Sequence, residues 1–422
     1  MRRDGRWHLP AAFAVLALLV AGLTFAGCGR VLPAAAGAAG CGPGWVAGWH
    51  AAQQAVPGDQ LAGRTLRMVV RPQTSGDGLR LRLSNRHGDG PLHVGAVTVG
   101  RAGDGAGTTG PRPVSTAGRP DVRLEPGADV LTDPLPVPVE RDVPLTVSLY
   151  LAEVPATISS HPVAMRTAWL SGPGDRSGQP QPDGFGTTLQ SWPVLAGIDV
   201  LVPRPADGVL VIGDSLVDGV GSTPDADDRF PDRLAARLAS ERTATPVLNA
   251  GLSRNRLLQD DPPAGGDAPG TRFDVDVAPL AGIRDVILLI GTNDLAAGAG
   301  ADELAAGLRA FADRGREAGL RVFLTTIPPS TSGGRDAAPV VAARDRINER
   351  IRTEGPHWAD GVIDAAATLA DPGDPTRLRP EYDSGDGLHP SPAGYRALAA
   401  AVPVGALSGA PAGDRCPASA SG

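Results

Sequence analysis

Three uninterrupted apolar runs constrain this chain most. Val209-Leu210-Val211-Ile212, Val286-Ile287-Leu288-Leu289-Ile290 and Val322-Phe323-Leu324 offer no polar side chain to turn toward water. Strands of that kind are buried on both faces, the condition met in a parallel sheet covered by helices. Between the runs the spacing is helical. Phe230, Leu234 and Leu238 recur at four-residue steps, Leu304, Leu308 and Phe311 fall at i, i+4 and i+7, and Val340, Ile347 and Ile351 mark a further helix. Strands alternating with helices predict an α/β fold with about five parallel strands, near residues 209, 247, 287, 323 and 362, and helices on both sides.

The preceding half has a different period. Leu79, Leu81 and Leu83 alternate with Arg80, Arg82 and Ser84; Leu145, Val147, Leu149 and Leu151 alternate again, as do Ile198, Val200 and Val202. Period-two runs separated by Gly, Pro and Asp turns predict a β-sandwich over 45–203, interrupted by a polar loop at Gly172–Gly186. The segment Arg204-Pro205-Ala206-Asp207-Gly208 reads as the boundary to an α/β domain over 208–405, followed by a tail over 406–422.

The first 27 residues have the make-up of an export signal: Arg2, Arg3 and Arg6 ahead of an uncharged apolar stretch from Ala11 to Gly27. Phe25-Ala26-Gly27-Cys28 resembles a bacterial lipobox, making Cys28 a candidate lipidation residue and 28–44 an Ala/Gly-rich linker. The expected location is outside the cytoplasm, as a cell-surface lipoprotein or a secreted protein, touching a membrane only through that lipid. Cys41 and Cys416 then remain as a candidate disulfide between the two ends of the mature chain. A formal net charge of −7 argues against a nucleic-acid binder. All 39 basic residues are arginine, a bias that removes arginine count as a functional signal.

In an open parallel sheet, chemistry collects at the carboxyl ends of the strands. Four polar clusters fall there. Gly213-Asp214-Ser215-Leu216 follows the first strand, so Ser215 is either an exposed hydroxyl or a helix N-cap. Asn249-Ala250-Gly251 follows the second, where Gly251 is either an ordinary turn glycine or a bare N–H donor. Gly291-Thr292-Asn293-Asp294 follows the third, with the Asn293 amide as a donor or a cap. Asp386-Gly387-Leu388-His389-Pro390 precedes a helix opened by Ser391-Pro392 and carrying Tyr395, Leu398 and Val402. Asp386 can hold the imidazole Nδ1–H of His389 and leave Nε2 free as a base. Together the clusters supply an acyl transfer: Ser215 as nucleophile, His389 as base and then acid, Asp386 as orienter, and Ser215, Gly251 and Asn293 as an oxyanion hole. No metal and no cofactor is expected, and no Gly-x-Ser-x-Gly elbow, phosphate loop or dinucleotide fingerprint occurs.

These four clusters, in this order, resemble the four blocks of the GDSL/SGNH hydrolase family. The resemblance implies a flavodoxin-like α/β/α domain and serine ester hydrolysis, with Ser215, Gly251, Asn293 and His389 as the family's named residues and Asp386 completing the triad. Gly219-Val220-Gly221-Ser222-Thr223-Pro224 and Tyr382-Asp383-Ser384-Gly385 resemble a branch that includes xylan-associated acetylesterases, which often has glycine where this chain has Arg254. Leu83-Ser84-Asn85-Arg86-His87-Gly88 resembles the β-rich domain found beside many such hydrolases. The expected substrate is thus a small ester or acylated carbohydrate. The alternatives are a lipase or lysophospholipase acting on longer chains, and a cell-surface glycan-binding protein whose Trp45, Trp49 and Trp169 stack on sugars. Arg272, Phe273 and Asp274 are a weaker candidate rim, and His50, His87, His93, His161 and His357 show no partner pattern.

Overall fold

The computed structural model describes residues 42–204, 207–241, 245–262 and 264–408. Cys28, Cys41 and Cys416, the signal segment and the tail beyond 408 lie outside the described residues. The five expected parallel strands form: β1 (Gly208–Gly213), β2 (Val247–Gly251), β3 (Ile283–Leu289), β4 (Arg321–Thr325) and β5 (Gly361–Ile363). Their order is β2-β1-β3-β4-β5, every pair parallel. That order is the flavodoxin-like one, with its switch point between β1 and β3.

The four main helices match the apolar spacing: α1 (Phe230–Glu241), α2 (Ala301–Glu317), α3 (Ala338–Thr353) and α4 (Pro392–Ala401). Ser391 caps α4, its hydroxyl accepting the Gly394 N–H at 3.3 Å, with Pro392 in the first turn. Alternate residues of β1 serve opposite faces. Leu210 and Ile212 pack with Leu304, Leu308 and Phe311 of α2 and Ile347 and Ile351 of α3. Val209 and Val211 pack with Phe230, Leu234 and Leu238 of α1 and Leu398 of α4. All four β1 side chains are fully buried, each stabilising the fold by roughly 1.5–3 kcal/mol. This two-sided burial is why the run carries no polar residue.

The N-terminal part is β-rich. An antiparallel sheet runs in the order Gly44–His50, Leu195–Val202, Gly78–Ser84, Asp129–Leu131. A larger antiparallel sheet is centred on Arg64–Val70, Leu145–Glu153 and Leu92–Ala102. Thr157–His161 joins Gln54–Pro57 and Trp192–Pro193 in a third. Leu79, Leu81, Leu83, Val147, Leu149 and Leu151 share one core, so the observed burial follows the alternation of the sequence. The antiparallel strands end at Val202 and β1 begins at Gly208, the point where the sequence pattern changes. The two parts nevertheless pack as one compact unit. Ala47 of the first strand sits in the α/β core, and its N–H donates to Ala281 O at 2.9 Å.

Candidate active site

Register brings three of the four clusters to one level. Gly213 pairs with Gly251 on β2 and with Leu289 on β3, so the chain leaves β1, β2 and β3 side by side. A Cβ on Gly213 would lie 1.9 Å from Leu289 O, which restricts this position to glycine. Immediately after it, Ser215–Asp218 forms a single helical turn. Asp214 takes the N-cap role, its Oδ1 accepting the Leu216 N–H at 3.0 Å, so the Ser215 hydroxyl is not the cap.

The fourth cluster reaches Ser215 through the loop ahead of α4. His389 Nε2 lies 2.9 Å from Ser215 Oγ, and His389 Nδ1 lies 2.5 Å from Asp386 Oδ2. Asp386 Oδ1 accepts the backbone N–H groups of Leu388 and His389 at 2.9 and 2.8 Å. Partial burial pushes the Asp386 carboxyl upward, but these bonds and the imidazole outweigh it and hold its pKa below the usual range. Asp386 therefore stays ionised and fixes the ring with Nε2 toward the serine. The loop is braced from both sides. Ser330 Oγ and the Thr331 N–H donate to Gly387 O at 2.8 and 2.9 Å, and Tyr395 Oη on α4 donates to Val220 O at 2.6 Å.

The expected oxyanion donors divide. Ser215, at the first position of its helical turn, has an N–H without an intrahelical acceptor. Asn293 lies on the short helix Thr292–Ala296 after β3, and its Nδ2 donates one hydrogen to Asn255 O at 3.0 Å. Its Oδ1 accepts from Arg335 Nη2 at 2.8 Å, while Arg335 Nε donates to Thr292 Oγ1 at 3.1 Å. Two bonds thus fix the amide plane and leave the second N–H of Nδ2 with one direction. Gly251 differs from the bare donor expected. Its N–H donates to Asn249 Oδ1 at 2.8 Å, and Asn249 Nδ2 donates to Val217 O at 3.0 Å. The glycine also serves packing, since a Cβ there would lie 2.3 Å from Asp218 N. In this structure the Ser215 and Asn293 N–H groups are the available pair.

Residues 211–397 match the model of the GDSL-like lipase/acylhydrolase family. The chain carries a GDSL-like esterase/acylhydrolase domain. No curated protein matches it. Among solved structures, the GDSL-like domain is similar to a carbohydrate acetylesterase from Sinorhizobium meliloti at 19% identity, covering 46% of this chain and 94% of that one, with a TM-score of 0.36. An acetyl xylan esterase from Geobacillus stearothermophilus is 21% identical, over 46% of this chain and 92% of its own, with a TM-score of 0.35. The aryl esterase of M. smegmatis is 20% identical over 46% and 96%, at a TM-score of 0.37.

Several residues around the domain's site have partners that no sequence pattern linked to them. Arg335 was hidden by the arginine-rich composition. Asp294 Oδ2 and Oδ1 accept the N–H groups of Leu257 and Leu258 at 2.9 and 3.0 Å, tying the post-β2 loop to the Asn293 helix. Arg272 is buried behind the site instead of rimming it. It pairs with Asp276 at 2.9 Å and donates to Gly213 O and Asn255 Oδ1 at 3.3 and 3.1 Å. His50 and His161, without sequence partners, lie buried beside Asp276 and Asp218 at 3.4 and 2.8 Å. Arg254 sits at φ 69°, the left-handed region that glycine occupies freely. A glycine at this position would adopt that conformation without strain. Of the three candidate stacking tryptophans, Trp49 is core, edge-on to Trp192 at 4.9 Å. Trp45 is half-buried with the Arg80 guanidinium 4.7 Å from its ring centroid, and Trp169 is half-buried on its strand.

Proposed function

We propose that this protein is an exported serine ester hydrolase that removes short acyl groups, acetyl foremost, from a carbohydrate. The single observation that carries the reaction type is the continuous relay from Asp386 through His389 to Ser215, at 2.5 and 2.9 Å. Ser215 Oγ attacks the ester carbonyl while His389 Nε2 takes its proton. The Ser215 N–H and the free Asn293 Nδ2–H receive the oxyanion, and the Gly251 N–H joins them if the carbonyl displaces Asn249 Oδ1. His389 then returns the proton to the leaving alcohol oxygen. Water repeats the sequence on the acyl-enzyme and frees the carboxylic acid.

A polar rim supports a short acyl group on a hydrophilic alcohol. Thr331, Ser332 and Arg335 come from the loop that packs on the Asp386–His389 turn, which buried Ser330 anchors through Gly387 O. Among the described residues only Leu131 and Leu258 are exposed large hydrophobics, too little for a lipase lid. The carbohydrate is proposed on the resemblance to acetylesterases, and export on the first 27 residues. Hydrolysis of p-nitrophenyl acetate, butyrate, octanoate and palmitate by wild type and Ser215→Ala tests the reading. Turnover that falls steeply beyond butyrate and vanishes in the variant is the expected result. Rates that rise with chain length would replace it with a lipase, and turnover by Ser215→Ala would remove the nucleophile.

A further inference from the structure

The β-rich region places a buried histidine against the turn that carries Ser215. His161 ends the strand Thr157–His161, is 3% exposed, and lies tilted over Trp192 at 5.4 Å. Its Nδ1 lies 2.8 Å from Ala52 O. Its Nε2 lies 3.1 Å from Val163 O and 2.8 Å from Asp218 Oδ1. A neutral imidazole carries one N–H and one lone pair. Both nitrogens here face oxygen atoms, so with Asp218 as a carboxylate both carry hydrogen and the ring is an imidazolium. Burial alone would pull the imidazole pKa down, but the Asp218 carboxylate and the two carbonyls outweigh it and raise it.

Asp218 is fully buried and is the last residue of the Ser215 turn. Its Oδ2 accepts both the N–H and the Oγ–H of Ser253, at 2.8 and 2.6 Å, in the loop just beyond Gly251. One carboxylate therefore clamps the nucleophile turn to the post-β2 loop, and the compensating charge comes from another part of the molecule. We infer that His161 is a positioning residue for ester hydrolysis: as a buried imidazolium it holds Asp218, and through Asp218 it sets Ser215 against the post-β2 loop. This rests on Ser215 as the nucleophile. It makes the β-rich region a working part of the hydrolase, because the α/β part alone offers the buried Asp218 only Arg229, a cation already paired with Asp232. The other charged or titratable groups around the pair are Arg229 (itself paired with Asp232 at 2.7 Å), Asp214 and Tyr395, all buried.

The test uses the full chain, p-nitrophenyl acetate, and four proteins: wild type, His161→Ala, His161→Gln and Ser215→Ala, with circular dichroism and melting curves to establish folding. His161→Ala should lose about 10²-fold in kcat, the effect of a small misplacement of reacting groups, with KM within about threefold. His161→Gln keeps an amide donor for Asp218 and should recover at least about tenfold of that loss. Wild-type kcat should also fall at alkaline pH as the imidazolium loses its proton, and that limb should be absent from His161→Gln. Both variants within threefold of wild type, with the alkaline limb intact and Ser215→Ala inactive, would overturn the inference and leave the nucleophile standing. Turnover by Ser215→Ala would overturn both. If His161→Ala does not fold, the pH profile of His161→Gln decides alone.

Discussion

Asp214→Asn isolates a carboxyl group buried beside Ser215. Asp214 is 1% exposed, and its Oδ1 accepts the Leu216 N–H, while Oδ2 is buried with no hydrogen-bond partner among the described residues. Burial raises its pKa from 3.8 to about 7, with Asp294 and Asp218 adding to the rise and the Leu216 N–H and Arg335 opposing it. At about 1.4 kcal/mol per pH unit, a rise of about three units corresponds to about 4 kcal/mol. The sign follows from proton binding. The folded state keeps a proton that the unfolded state releases, so stability from this group is complete below about pH 4, declines as pH climbs toward 7, and is flat above. Asparagine keeps the acceptor for Leu216 and cannot ionise, so the variant lacks this decline. Its additional orphan N–H costs about 1–3 kcal/mol at every pH. The difference in unfolding free energy, variant minus wild type, should therefore rise by a few kcal/mol between pH 4 and pH 8. Urea unfolding of both proteins across that range measures it. Parallel stability curves, within about 1 kcal/mol, would show that Asp214 is ionised at little cost and refute the reasoning.

Four further outcomes are expected. Ser215→Ala and His389→Ala should each abolish nearly all turnover, and the double variant should be no slower than either, because the two act as a unit; additive losses in steady-state kinetics would separate them. Asn293→Ala should lower kcat by about 10²–10³-fold, the worth of one oxyanion donor. Arg335→Ala should lower kcat by about tenfold through the unfixed amide, and combining it with Asn293→Ala should cost nothing more; additivity would give Arg335 a separate role, such as binding substrate. Arg254→Gly should stabilise the protein by about 0.5–1 kcal/mol in urea unfolding, since relief of the left-handed conformation exceeds the added unfolded-state entropy.

Chain pattern alone determined the scaffold and where its chemistry collects. Val209–Ile212 fits a strand buried on both faces, the alternation of Leu79, Leu81 and Leu83 fits a strand with one face in a core, and the polar clusters after the parallel strands are expected at one sheet edge. Asp386 and His389, three residues apart, form their bond within one turn, so that half of the relay is local and readable. The remainder depends on partners that no periodicity links. Arg335 meets Asn293 across 42 residues, and His161 meets Asp218 from a different sheet. Whether the Gly251 N–H is bare depends on where the Asn249 side chain turns, a rotamer set by Val217 O on another element. Sequence pattern records which residues are apolar and at what interval, because burial in strands and helices has a fixed period. Buried charges are neutralised wherever the folded chain happens to bring an opposite charge. That pairing is decided only when the β-rich region packs against the α/β sheet.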